Sequence, residues 1–189
     1  MHIKKHLSFT ALREKLSSRV LEIEDKRDQS KVKHSLHDCF MSGFAMMFFQ
    51  DPSLLSFQRR MKEKQNRSNL ETVFKVKSIP KDSQIREVLD NSDIDKLEEV
   101  FLDYFKALQR GKHLENYRFW GGKYLITLDG SEYFSSEKIC CPGCLVKRSK
   151  RGKVRYYHQI LQAALVHPDH REVIVLALEQ VRNTDGTDK

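Results

Sequence analysis

Apolar residues in "LSFTALREKLSSRVLEIEDKR" recur every three or four positions: Phe9, Leu12, Leu16, Val20 and Ile23. That spacing gathers them on one side of a helix and leaves the charged residues on the other. "SLHDCFMSGFAMMFFQ" is apolar almost all the way round, which predicts a helix buried inside a bundle, with Met41, Phe44, Met46, Met47 and Phe48 as core. Asp51-Pro52 ends it and predicts a new helix, with Asp51 as cap and Pro52 in the first helical position. "SIPKDSQIREVLDNSDIDKLEEVFLDYFKALQRGK" predicts two more. In the second of these, Leu97, Val100, Phe101, Tyr104, Phe105 and Leu108 form one stripe, Asp95 and Glu98 have capping-box spacing, and Gly111 stands at the stop.

After Gly111 the period changes. Short runs rich in aromatic and β-branched residues predict strands over 124–128, about 156–166 and 173–178. The links are too short for crossover helices, so the three strands form an antiparallel meander. A sheet this apolar calls for helices on its faces, which the polar close "EQVRNTDGTDK" does not supply. The first strand runs into Asp129-Gly130, a pair that suits a tight turn but also sets a carboxylate at a strand's end. The class is α+β: an N-terminal helical bundle, then an incomplete sheet.

The chain has 189 residues, 39% of them hydrophobic, which suffices for a sizeable core and excludes wholesale disorder. A net charge of +8 points to an anionic partner, nucleic acid before an acidic membrane surface. No run approaches the roughly 20 apolar residues that span a bilayer, and "MHIKKHLSFTALREKL" has no signal core, so a cytoplasmic, nucleoid-associated protein with no membrane partner is expected. The charge is concentrated in two places. "SFQRRMKEKQNRSNL" offers Arg59, Arg60 and Lys62, and "VKRSKRGKVR" offers Lys147, Arg148, Lys150, Arg151, Lys153 and Arg155 with no acid among them. Without interleaved aromatics, such runs contact phosphates rather than read bases.

"CCPGC" holds Cys141 and Cys144 at the spacing of half a structural zinc site. The other half is not evident. Cys39 is distant, His158 falls in a strand, and His167 and His170 have the wrong separation. A turn with free thiols is therefore preferred over zinc, and His158 is read as a core or hydrogen-bonded strand histidine.

"SIPKDSQIREVLD", "YLITLDGSEYFSS", "YYHQILQAALVHPDHREVIVLALEQV" and "DGTDK" resemble, in this order, consecutive blocks of bacterial insertion-sequence transposases of the DDE class. "DCFMSGFAMMFFQDPSLLSFQ" resembles the helical block before them. The resemblance implies that residues 1–112 are a helical DNA-binding and dimerisation region. It also implies that residues 113–189 are the first three antiparallel strands of an incomplete, RNase H-like catalytic domain. In that class two Asp and one Glu hold two divalent cations, which share anionic ligands because they lie roughly 4 Å apart. Asp129 falls at the first Asp, which implies a catalytic and Mg²⁺- or Mn²⁺-binding role for it. The second Asp and the Glu have no counterpart: Glu132, Glu179, Asp185 and Asp188 fill neither position.

The resemblance thus implies an N-terminal portion of a transposase, truncated and not competent in strand transfer alone. The other reading is a non-catalytic DNA-binding or regulatory module that inhibits an intact transposase. Expected partners are the DNA ends of a mobile element and a homo-oligomer or mixed oligomer with intact transposase.

Overall fold

The computed structural model describes residues 5–93 and 95–183, and the chain divides into two compact units, Met1–Ala107 and Leu108–Lys189. The division falls inside the last helix, a few residues before the sequence-based boundary at 112. Among the described residues no helix is long and apolar enough to cross a membrane.

The first unit contains α1 (Phe9–Leu21), α2 (Leu36–Phe48), α3 (Leu54–Met61), α4 (Lys64–Phe74), α5 (Asp82–Asp90) and the start of α6 (Asp95–Arg110). Serines start the first three: Ser8, Ser35 and Ser53 accept the backbone N–H of Ala11, Asp38 and Ser56, each meeting a donor the first turn leaves open. Asp51 is therefore not the cap of α3. The left-handed residue after α6 is Lys112 (φ 61°) rather than Gly111. The capping box read at Asp95 rests on a side chain outside those described, and Asp185 and Asp188 lie outside the described residues.

Helix α2 crosses the middle of the unit, but it is not buried all round. Met41, Ala45 and Met46 pack with Phe57, Met61, Leu70 and Phe74, whereas Met47 is 70% and Phe48 53% exposed. Full burial of a side chain such as Phe57, Phe74 or Met61 contributes about 1.5–3 kcal/mol. Phe48 instead joins Phe9, Phe44 and Phe49 in ring contacts around Phe74, with centroids 5.1–6.2 Å apart. A second cluster joins Val20, Ile23, Leu36, Cys39 and Val88. Polar ties span long sequence separations: buried Asp38 accepts the Lys77 N–H at 2.8 Å, and Arg19 pairs with Glu99 and Asp103.

The second unit is a four-stranded antiparallel sheet of β1 (Leu125–Ser136), β2 (Leu145–Arg148), β3 (Val154–Val166) and β4 (Ile174–Val181). β3 is central. It pairs with β1 from Tyr156 to Val166, with β2 over Val154 to Tyr157, and with β4 over Gln159 to Leu165. The meander β1-β3-β4 is as expected, and the short β2 is an addition. The sheet is open rather than closed into a barrel.

Two features differ from the sequence reading. The first strand is not buried, since Leu125, Ile126 and Leu128 are exposed at 42%, 55% and 68%. Nor does it end at Asp129-Gly130. It continues to Ser136, because Asp129 pairs with Gln162 and Gly130 with Leu161 in an unbroken register up to a bulge between Glu132 and Phe134. The turn reading of Asp129-Gly130 is therefore wrong.

Candidate metal site and cationic hairpin

β2 and β3 form a hairpin in which Leu145 faces Tyr157 and Lys147 faces Arg155. The connection is tight. Ser149 N–H donates to the Lys153 carbonyl at 2.9 Å, Gly152 N–H to the Ser149 carbonyl at 2.9 Å, and Lys153 N–H to Ser149 Oγ at 3.1 Å. Gly152 adopts φ 78°, a conformation open to glycine without steric cost. The sequence "RSKRGK" thus makes a turn that sets Lys150 and Arg151 at its tip.

Along this hairpin Lys147, Arg148, Lys150, Arg151 and Lys153 are exposed. Lys153 Nζ lies 4.0 Å from a Glu137 carboxylate oxygen, and Arg155 is held more closely. Its guanidinium donates to both Glu132 carboxylate oxygens, at 2.9 and 3.0 Å, and lies 5.6 Å from the Tyr157 ring centroid. In the helical unit, Arg59 and Lys62 are exposed at the end of α3. Arg60 pairs with Asp51, whose hydrogen bond raises the guanidinium pKa further.

At the base of the hairpin stands a constellation that the sequence did not assemble. Residues 144 and 158 are the next positions after the Leu145–Tyr157 pair, so the antiparallel register carries Cys144 to His158. Pro142 and Gly143 form a turn that brings Cys141 back over Cys144, with Cys144 N–H donating to the Cys141 carbonyl at 3.1 Å. Cys141 Sγ and Cys144 Sγ are 3.7 Å apart, and His158 Nε2 is 3.3 Å from the first and 3.4 Å from the second. Tetrahedral zinc, at about 2.3 Å from sulfur and about 2.05 Å from nitrogen, sets two sulfurs about 3.8 Å apart and sulfur and nitrogen about 3.6 Å apart. The three donor atoms therefore already outline one face of such a tetrahedron.

The imidazole is held by β1. The bulge around Tyr133 lets two successive residues face one partner. Tyr133 stacks on the His158 ring (centroids 5.8 Å, 17° between planes) and Phe134 tilts against it at 5.7 Å. Burial pushes the Cys144 thiol pKa up, while its contact with the Cys141 N–H opposes that shift. Among the described residues His158 Nδ1 is buried without a hydrogen-bond partner, and no carboxylate or carbonyl of theirs backs the ring.

This overturns the expected metal chemistry. Cys141, Cys144 and His158 can coordinate a metal ion, and thiolate with imidazole is a zinc-type donor set rather than one for Mg²⁺ or Mn²⁺. Asp129 is exposed on β1, with Ser131 Oγ 3.5 Å from Oδ2, and belongs to no cluster of three ligating residues among those described. His158, read as an ordinary strand histidine, is the missing partner of the cysteine pair. The signal lay in "LVKRSKRGKVRYYH": reading Leu145–Arg148 as a strand centres the hairpin on Arg151 and pairs Cys144 with His158. A strand of four residues, two of them cationic, does not stand out in the apolar pattern.

Residues 18–105 match the family described as DDE_Tnp_1-associated. The helical unit carries a DDE_Tnp_1-associated domain. This links the protein to the insertion-sequence transposases through a domain that is associated with the catalytic DDE module and distinct from it. No curated protein and no solved structure matches the chain.

Proposed function

We propose that this protein is a DNA-binding accessory module of an insertion-sequence transposition system, which grips the phosphate backbone of element ends without itself cutting DNA. The observation that carries the reading is the β2–β3 hairpin, whose cations at 147, 148, 150, 151 and 153 are all exposed along it. Phosphates bind such a surface through charge, and the released counterions make affinity fall steeply with salt. The DDE_Tnp_1-associated domain supports the transposition context. Arg59 and Lys62 add a second phosphate-contacting patch in the helical unit, and oligomers with itself or with an intact transposase fit a regulatory role.

Binding of a mixed-sequence duplex, measured across a salt series, tests this. Lys150→Ala with Arg151→Ala should weaken binding to every sequence alike and flatten the plot of log affinity against log salt by about 0.9 per lost contact. A change in sequence preference instead, with the salt slope intact, contradicts the reading.

The alternative is a piece of the catalytic domain, its sheet being the opening of an RNase H-like fold and Asp129 a surviving acid. The exposure of Asp129 on the long β1, which leaves its carboxylate open to solvent, supports this alternative. DNA nicking that is lost in Asp129→Asn would select this alternative.

A further inference from the structure

The outer strand of the cationic hairpin, β2, is short and weakly held. Among the described residues β2 makes four cross-strand pairs and has one neighbour, β3, so beyond these pairs it is held chiefly by the turn's own hydrogen bonds around Ser149. β3 is anchored in the sheet by β1 and β4, but β2 rests on a two-strand pairing alone, which is marginal in water. The three ligating atoms stand where this weakness would be felt. Cys141 and Cys144 precede β2, whereas His158 lies on β3, so an ion bound between them ties the two strands together at the end opposite the charged tip.

We propose that Cys141, Cys144 and His158 bind one Zn²⁺ ion, and that this ion clasps the β2–β3 hairpin so that its cations are presented to phosphate only in the metal-loaded protein. The second half of this statement rests on the DNA-binding reading above; the first half does not. Zn²⁺ displaces the thiol protons on binding, and neutral His158 contributes the Nε2 lone pair. The described residues supply three donors, and water takes the fourth position. Because Nδ1 lacks an acceptor, affinity is about 10- to 100-fold below that of a site with a supported histidine. The separation of 3.7 Å between the sulfurs is that of a shared ligand edge and not of a disulfide.

The full-length chain, reduced with a phosphine and freed of metal by a chelator, is titrated with Co²⁺ and then Zn²⁺. One Co²⁺ per chain should bind with tetrahedral d–d and thiolate charge-transfer absorption, and Zn²⁺ should bleach both. Cys144→Ser and His158→Ala should abolish the signal, while Cys140→Ser keeps it. The wild-type apo and zinc forms are then compared for binding to a mixed-sequence duplex, which needs no variant to fold. Removing zinc should weaken binding about tenfold, the cost of fixing roughly one residue's backbone.

Four results separate the claims. No Co²⁺ signal, or one that survives both ligand variants, overturns the metal site. Loss of the signal in Cys140→Ser overturns the assignment of three protein ligands. Metal binding with equal DNA affinity in both forms overturns the clasp and leaves the DNA-binding reading intact. Metal binding with no DNA binding in either form overturns that reading, and with it the clasp.

Discussion

Arg60 donates two hydrogen bonds to Asp51, at 2.9 and 2.5 Å, and lies 4.8 Å from the centroid of the Phe49 ring. Its neighbour Arg59 is exposed. Two adjacent arginines thus have different work: one ties the start of α3 to its end, and the other faces solvent. Arg60→Ala should lower stability by about 1–3 kcal/mol, because Asp51, with its side chain 9% exposed, is left without its cation. Arg59→Ala should leave stability within about 0.5 kcal/mol and reduce the salt slope of DNA binding. Urea unfolding and a salt titration on both variants check the pair.

Asp38 is buried at 4% exposure and accepts the Lys77 N–H from a segment 39 residues away. Asp38→Ala leaves that donor without its partner, and stability should fall by about 1.5–3 kcal/mol. Asp38→Asn keeps an acceptor in place and should recover most of the loss. Equal losses in the two variants, measured by thermal unfolding, would show that the hydrogen bond is not what matters.

The four cysteines should differ in reactivity. Cys39 is fully buried and burial pushes its thiol up to about 11, so it is a protonated, inaccessible group at pH 8. Cys140 and Cys141 are exposed. Alkylation followed by mass spectrometry should label Cys140 and Cys141 first in metal-free protein, and Cys39 only after denaturation. Labelling of Cys39 in the folded chain would mean that the α2 core opens readily.

His37 is half-buried, its Nε2 2.7 Å from Ser17 Oγ, and desolvation lowers its pKa below the ordinary 6.5. The unfolded chain therefore binds a proton before the folded one does. The stability contributed by neutral His37 is fully present above pH 6.5 and is lost as pH falls below it. His37→Gln should flatten this part of the pH–stability curve, read as melting temperature from pH 8 downwards. An unchanged curve would assign the acid sensitivity to another group.

Periodicity alone determined much of the first unit: the stripe of Leu97, Val100 and Tyr104 is a helix, and the wide apolar face of α2 does meet the core. It overstated that burial, because composition cannot say how many neighbours a helix has; Met47 and Phe48 remain at the surface. The alternation of short apolar runs likewise determined the antiparallel order β1-β3-β4. It misplaced the end of β1, since Asp-Gly has turn chemistry locally but here is carried on by pairing with Gln162 and Leu161, residues far along the chain.

The candidate site shows the same division. The sequence determined its parts, a Cys-x-x-Cys turn and a cationic run. Tertiary structure alone decided that His158 completes the ligand set, because register across a hairpin is a non-local quantity: it adds Cys144 to His158 and sets Tyr133 and Phe134 against the ring. It also decided which cations are committed, since Asp51 and Glu132 reach Arg60 and Arg155 only through the fold. Donor type is written in the residues, but coordination and charge pairing depend on distances that only folding sets.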